Sequence, residues 1–326
     1  MIIALAPSAD RLAEIDAADR AALAHAVWID LVDPTDAEKE TVQRATGLRV
    51  ASIAELQEIE SSSRLNAEDG VLSLSMPYVQ FPTRGGAKTR PLGFVLDRDR
   101  LITERFAPSM SFDAVHQRAP RFEDGHRTGA HVLVTLLEVI VDRLADQLEK
   151  IGDELDAISR HIFQEDLGSG RAPRREDKAL RRLLRGVGRV GESASRIRDS
   201  LLAVGRIVPF VGQNADWLAV DLQPRFATLR QDIRSLTDYD EHLGNKVQFL
   251  LDATLGFINI AQNNIIKVLT VVSVVGIPPT LVASIYGMNF KDMPELGWTW
   301  GYPYGLLIIL ASAILPLVVF RLRGWL

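Results

Sequence analysis

The chain changes its hydrophobic rhythm twice. As far as about residue 125, short apolar runs follow the two-residue period of strands. They are "VWIDLV" (Val27–Val32), "GVLSLSMPYVQF" (Gly70–Phe81), "GFVLD" (Gly93–Asp97) and "RLITERF" (Arg100–Phe106). Two helix starts separate the first two runs. Thr35 with Glu38, and Ser52 with Glu55, have the spacing of capping boxes, and Gly47 closes the first of these helices. "TRGGAKTRP" reads as the polar loop of a hairpin. The pattern predicts a small α/β domain over residues 1–125.

From Arg127 the period becomes helical. His131–Glu165 carries apolar residues at helical spacing, with Asp142, Asp146, Glu149, Asp153, Glu154 and Asp156 forming an acidic face. "GSGRAP" (Gly168–Pro173) interrupts it. A second helix is predicted from Arg174 to Val204, ended by "VPFVGQNADW". These elements form a helical hairpin over 126–223. A third helix opens near Pro224, a residue suited to a first helical turn, and no proline follows until Pro278. One helix of about 60 residues spans about 90 Å, wider than a domain. Residues 224–267 therefore read as a stalk that packs against copies of itself or against neighbouring helices.

The stalk enters "VLTVVSVVGIPPTLVASIY", 19 residues (268–286) without a charge. "YGLLIILASAILPLVVF", 17 residues (304–320), is also uncharged. Both suit a bilayer core of about 30 Å, the second with Trp300 and Tyr302 as interfacial anchors. The alternative, two buried core helices, sits poorly with uncharged runs of this length. Lys267 precedes the first span, and Arg321 and Arg323 follow the second in a basic tail, 321–326. The connecting segment 287–303 sets Lys291 against Asp292 and Glu295. Positive charge stays inside, so both termini are expected in the cytoplasm and the loop outside. The start, "MIIALAPSAD", does not read as a secretory signal.

Bulk composition adds little. The 326 residues hold 37 Lys and Arg against 42 Asp and Glu, a balance that favours no nucleic-acid partner. With no cysteine, disulfides, thiolate metal sites and cysteine nucleophiles are excluded. The six histidines show no ligand pair at helical spacing, and there is no P-loop or nucleophile elbow. "GVGRVG" (Gly186–Gly191) matches GxGxxG but follows a helical pattern, so its glycines are assigned to close helix packing. Residues 171–198 hold ten basic and three acidic side chains. Charge pairing within or between subunits is the first reading of that segment, and anionic lipid the second. No enzyme activity and no cofactor are expected.

One pattern carries function. Asn263, Thr270, Ser273, Thr280 and Ser284 follow spacings of 7, 3, 7 and 4, with Ile266 and Ile277 on the same stripe. That is one helical face at period 3.6. Small hydroxyls can simply mediate helix packing in lipid. The sharper reading is a face that lines a water-filled pore built from several copies. The helix then reaches "YGMN". Gly287 can end it, and Met288 and Asn289 sit at the outer mouth. A ring of asparagine carbonyls can hold a hydrated cation through its waters, which suits Mg2+ because that ion dehydrates reluctantly.

"YGMNF" at 286–290, "MPEL" at 293–296, "W.WGYP" at 298–303, "KVLT" at 267–270, "WIDLVDPT" at 28–35, "EIESSSRL" at 58–65 and the end "RLRGWL" together resemble the CorA-type magnesium transporters, whose mark is Gly-Met-Asn followed by Met-Pro-Glu-Leu. The resemblance covers the whole chain and is strongest in its last 65 residues. It implies a funnel-shaped homopentamer with a cytoplasmic α/β domain, long stalk helices and two transmembrane helices per subunit. It also implies a filter at Gly287, Met288 and Asn289, and pore positions at Asn263, Ile266, Leu269, Thr280 and Ser284. Asp252 falls where the family often has an acidic ring. Mg2+ is then the transported ion and a possible regulator.

The chain departs from the family pattern in carrying Pro278 and Pro279 where one proline is usual. Thr228 stands where an acidic stalk residue is expected, with Asp221 and Asp232 nearby, so the sensing site is not placed. The resemblance gives an inner-membrane divalent-cation channel: Mg2+ first, with Co2+ or Ni2+ tolerated. Zn2+ transport is the alternative within the superfamily, although Met288 stands where the zinc branch tends to carry valine. A membrane-anchored scaffold without ion flux is the alternative of another class. Asp292 and Glu295 are expected to attract cations to the mouth.

Overall fold

A computed structural model describes the chain except residues 9–10, 59, 61–63, 82–85, 120–121, 123–127, 164–172, 289–292 and 325–326, and the side chains of 173–177 and 296. The chain divides into two compact units, residues 1–166 with 182–251 and residues 167–181 with 252–326.

The first unit contains a seven-stranded sheet. Its strands are β1 (Ile2–Pro7), β2 (Leu12–Ile15), β3 (Trp28–Val32), β4 (Leu65–Glu68), β5 (Val71–Gln80), β6 (Lys88–Leu96) and β7 (Leu101–Arg105). The order is β2-β1-β3-β7-β6-β5-β4, with β3 and β7 parallel and the other neighbours antiparallel. The four predicted strands are present. β6 starts at Lys88, five residues before the predicted Gly93, so part of the predicted hairpin loop belongs to the ladder. β1, β2 and β4 were not anticipated.

Helices α2 (Asp36–Thr46) and α3 (Ile53–Leu56) start where their capping boxes predict, and α1 (Arg20–Ala24) is a further short helix that the sequence reading did not mark. Glu38 accepts the Thr35 N–H at 2.8 Å and Glu55 accepts the Ser52 N–H at 2.7 Å, completing both capping boxes. These backbone bonds hold both carboxyls below the ordinary range. Gly47 ends α2 at φ 73°, where a side chain would be strained.

Alternation along β3 sorts its side chains between the two faces. Ile29 and Leu31 join Leu23 of α1 and Val42 of α2 in a buried cluster. Trp28 faces the other way, stacked at 4.0 Å on His116 and 6.4 Å from Phe112, both on α4 (Met110–Arg118). Asp30 is wholly buried on that second face. It accepts from Thr103 Oγ1 at 2.8 Å and Arg105 Nε at 3.0 Å, and lies 3.1 Å from His116 Nε2. A buried carboxylate persists only when it is partnered in this way.

Three long helices complete the architecture: α5 (Gly129–Phe163), α6 (Pro173–Asn214) and α7 (Leu222–Tyr286). The predicted end of α6 at Val204 is overturned. The helix runs on through Pro209 to Asn214, because Val204, Ile207, Val208 and Val211 are all buried there and packing outweighs the lost hydrogen bond. α7 starts at Leu222, so Pro224 lies inside its first turn rather than opening it. The predicted break at "GSGRAP" lies outside the described residues up to 172.

Side chains latch these helices together. His131 Nε2 lies 2.9 Å from Asp221, Arg225 Nε donates to Glu138 at 2.9 Å, and Lys246 pairs with Asp156. Charge pairing within the chain joins the acidic face of α5 to α6 at Glu154–Arg189, 2.8 Å. Of the three glycines assigned to packing, Gly191 is tight, Gly186 has room for ordinary contact and Gly188 has open space around it. A Cβ on Gly186 would lie 3.5 Å from Ile158, and one on Gly191 3.1 Å from Val247.

Two positions give tests of this packing. A Cβ on Gly129 would lie 2.3 Å and 2.5 Å from the backbone of Arg100 and Leu101, which cannot swing aside as a side chain can. Gly129→Ala should cost about 1–3 kcal/mol, read as a lower thermal midpoint of the solubilised protein. An unchanged midpoint would refute the close approach.

Asp240 is buried, and burial raises its carboxyl above the ordinary range despite its bond to Arg198 Nε. A raised folded-state pKa adds stability that is present in full below the unfolded value and lost as pH rises through the folded one. Asp240→Asn should therefore remove a gain in thermal midpoint that the parent shows on acidification across that window. Parallel pH profiles for parent and variant would count against it.

Candidate pore helix and outer mouth

α7 is the element that carries the site. It is unbroken from Leu222 to Tyr286, so the predicted stalk and first span are one helix. Both α7 and α8 (Gly301–Leu322) contain a stretch long and apolar enough to cross a membrane. Among the described residues, neither 263–288 nor 301–322 contains a buried one. Ile266, Leu269 and Ile277 are 60%, 65% and 64% exposed. The single chain thus leaves every face of its spans for lipid or for other copies.

Turning about 100° per residue, the helix sets Asn263, Ile266, Thr270, Ser273, Ile277, Thr280 and Ser284 within an arc of about 100°. Leu269 falls about 20° outside that arc, at the edge of the stripe. Asp252 falls inside it, because the helix continues without interruption through it. Asn259 also falls inside it. The sequence reading did not single that residue out, although 252, 259, 266, 273 and 280 form one seven-residue series. The other members, 263, 270, 277 and 284, form a second series. Two interleaved series of this kind are the pattern of a left-handed supercoil between helices.

Three of the four hydroxyls of the stripe are oriented. Thr270 Oγ1 donates to Ile266 O, Thr280 Oγ1 to Gly276 O and Ser284 Oγ to Thr280 O, each at 2.8 Å. Each proton is spent on the helix's own backbone four residues earlier. What remains to face outward is oxygen lone pairs, which accept hydrogen bonds from water or meet a cation and do not donate to an anion. Pro278 and Pro279 lie inside the helix and carry no N–H, so the carbonyls of Val274 and Val275 have no donor four residues on.

At the outer end Gly287 N donates to Ala283 O at 3.0 Å and Met288 N to Ile285 O at 3.2 Å. The helix ends at Tyr286, where Gly287 was expected to stop it, and Gly287 closes the last turn without a left-handed backbone. Met288 is 47% exposed. Asn289 and Asp292 lie outside the described residues.

The loop beyond them is tightly folded. A 3-10 turn, Pro294–Gly297, contains Glu295, and Trp298 N donates to Glu295 O at 3.3 Å. A Cβ on Gly301 would lie 2.1 Å from that same carbonyl, so only glycine fits. Trp298 meets Tyr304 edge-on at 5.8 Å, tying the loop to α8. Trp300 and Tyr302 are exposed beside the start of α8, as membrane-interface anchors require. Among the described residues no group of three or more His, Cys, Asp or Glu could hold a metal ion.

Comparison with known proteins agrees. Residues 24–322 match the family model described as "CorA-like Mg2+ transporter protein". The chain is 35% identical over 318 residues to the magnesium transport protein CorA of Sodalis glossinidius (strain morsitans), covering 97% of each chain. In fold it is similar to the complete structure of the CorA magnesium transporter from Methanocaldococcus jannaschii, with TM-score 0.76, 20% identity and coverage of 100% of this chain and 99% of that one. It is also similar to the ZntB cytoplasmic domain from Vibrio parahaemolyticus, with TM-score 0.59, 11% identity and coverage of 79% and 97%, a likeness of fold alone. With the family model matched over nearly its whole length and a relative this similar from end to end, the chain belongs to the CorA-like Mg2+ transporter family.

Proposed function

We propose that this protein is a channel-like transporter for hydrated Mg2+, in which α7 helices from several copies, five by family resemblance, enclose a pore. The carrying observation is the stripe on α7: neutral acceptor oxygens, their protons bound within the helix, on a stretch without a buried residue that ends just before Gly287-Met288. One two-span chain cannot enclose water. A supercoil of copies turns each stripe toward a shared axis. Neutral oxygens bind the waters of an ion without stripping them, which suits an ion that keeps its hydration shell.

Both termini are assigned to the cytoplasm and the loop to the outside, following Lys267, Arg321 and Arg323. Inward flow is then driven by the membrane potential, roughly 4.6 kcal/mol per 100 mV for a divalent ion. Co2+ and Ni2+ are candidate secondary substrates. Glu295 and Asp292 raise the cation concentration at the mouth, an effect that salt weakens. Asn289 supplies the carbonyl that meets the hydrated ion, and Asp252 an acidic ring lower in the pore.

Uptake by the full-length protein in proteoliposomes under an imposed potential tests the reading. Mg2+ flux should exceed Zn2+ flux, and a membrane-anchored scaffold would give none. Asn289→Ala should abolish or strongly reduce Mg2+ uptake while the oligomer stays intact. Parent-like uptake by that variant would remove the filter role.

The second test concerns closure. Ile266 and Leu269 are large, apolar and exposed near the start of the span. In a ring of copies they form a constriction that excludes ions by dewetting. Leu269→Ser should raise the leak of Mg2+ measured without an imposed potential. Unchanged leak from an intact oligomer would refute the gate.

A further inference from the structure

Conduction leaves unused a cavity of about 250 Å3 in the first unit, lined by strands β4–β7 and by α3. Strand register orders its polar side chains. Ser75 pairs with Gly93, and Gly93 with Glu104, so these three lie in one row across the sheet. Arg64 directly precedes Leu65, which pairs with Leu74, so Arg64 falls in line with Ser75 at the end of that row. Ser73, two residues from Ser75, projects on the same face, and so does Val95, two residues from Gly93. A Cβ on Gly93 would lie 2.8 Å from Leu56 Cδ2, so the side chain of Leu56 rests on this glycine and forms an apolar wall.

Two buried polar groups in the row are left incompletely partnered. Ser75 is 5% exposed, and its Oγ has no hydrogen-bond partner. A native chain seldom leaves such a group without a use. Glu104 is 3% exposed. Lys39 pairs with its Oε1 and also donates to Ala51 O at 2.8 Å. Glu104 Oε2 has no partner among the described residues. Burial raises this carboxyl above the ordinary range despite Lys39. One cation thus compensates it only in part.

The other end of the row is basic. Arg64 is half-buried, and its Nε donates to Glu58 O at 2.6 Å. Its two terminal nitrogens have no partner among the described residues. Arg49, which also lines the cavity, is already paired with Glu55. Ser75 and Glu104 stand two strand spacings apart, about 10 Å between Cα atoms, within joint reach of a molecule a few atoms long. A simple anion would face Glu104 and Glu58. A simple amine would leave the Arg64 guanidinium and Ser75 Oγ as they are. A molecule with both charges satisfies both ends. Between the ends Leu56, Val50 and Val95 offer apolar surface. The volume is just under the usual range for small-molecule sites, about 300–1,000 Å3, which limits the occupant to a small metabolite.

We propose that this cavity binds a small α-amino acid with an aliphatic side chain. Its ammonium group donates to Glu104, its carboxylate accepts from Arg64 and Ser75 Oγ, and its carbon chain packs against Leu56, Val50 and Val95.

Isothermal titration of the full-length solubilised protein with L-valine tests this. The parent should bind L-valine saturably. Isobutylamine, which is L-valine without the carboxylate, and 3-methylbutanoate, which is L-valine without the ammonium, should each bind at least about tenfold more weakly. Arg64→Gln should narrow the gap between L-valine and isobutylamine, and Glu104→Gln the gap between L-valine and 3-methylbutanoate. Ser75→Ala should weaken L-valine binding about threefold to tenfold. The same change should leave the thermal midpoint of the ligand-free protein unchanged or higher, because that hydroxyl has no partner to lose. Arg189→Gln, an equal charge loss at a residue paired with Glu154 away from the cavity, should bind L-valine as the parent does.

No saturable L-valine binding by the parent refutes the proposal. So does either analogue binding as tightly as L-valine, or parent-like affinity in both Arg64→Gln and Ser75→Ala. The readout involves no ion flux, so its failure leaves the transport reading standing, and failure of transport leaves this one standing.

Discussion

A helix that crosses a bilayer cannot leave a row of hydroxyls and amides against hydrocarbon, and α7 has such a row. Satisfying the protons internally, as Thr270, Thr280 and Ser284 do, removes the donors but leaves the lone pairs. The single chain has nothing to cover them, since neither span holds a buried residue among those described. The proposed pore answers this symmetrically: each copy turns its stripe toward the others and toward water. Assembly, pore and ion path are in this view one consequence of where the polar residues fall on one helix.

In the first unit the same helix is tied to its neighbours by side chains. α7 is held by His131–Asp221 near its start and by Arg225–Glu138, Arg198–Asp240 and Lys246–Asp156 further along. These are side-chain latches between helices, spaced over more than twenty residues of α7. The sheet is coupled in turn to α6, through Ser200 Oγ donating to Pro77 O at 2.7 Å and Arg196 donating to Thr89 at 3.3 Å.

Much of this was legible in the sequence because local rules and tertiary packing agree. Thr35 with Glu38 and Ser52 with Glu55 are capping boxes in the structure because each motif satisfies its own backbone. The stripe was legible because it is periodic, and the spans because they are uncharged. The misses are places where distant residues decide. β1, β2 and β4 are short strands near the sheet edges whose pairing depends on partners elsewhere in the chain. α6 continues through Pro209 because Val204, Ile207, Val208 and Val211 bury one face of it, which no local signal records. The direction of each hydroxyl proton, the α6–α7 register and the place of Asn259 required coordinates. Asn259 could have been found by stepping back seven residues from Ile266.

The chemistry of the lining also limits which ions the pore can serve. From Asn259 to Ser284 the stripe alternates neutral oxygen-bearing residues with Ile266 and Ile277, and carries no formal charge. A carboxylate-lined passage would hold a divalent ion tightly and slow its release. A dry apolar passage would demand dehydration, which Mg2+ resists most strongly. Neutral acceptors between apolar rings sit between these limits. They attract the hydrogens of coordinated water, whose polarity a divalent ion enhances, and they let go because no full charge opposes departure. In the proposed pore, charge falls only at the two ends, at Asp252 and Glu295, where it would concentrate ions without trapping them. The selectivity such a lining offers is for an ion that keeps its water, and it weakens for ions that readily exchange water for direct ligands.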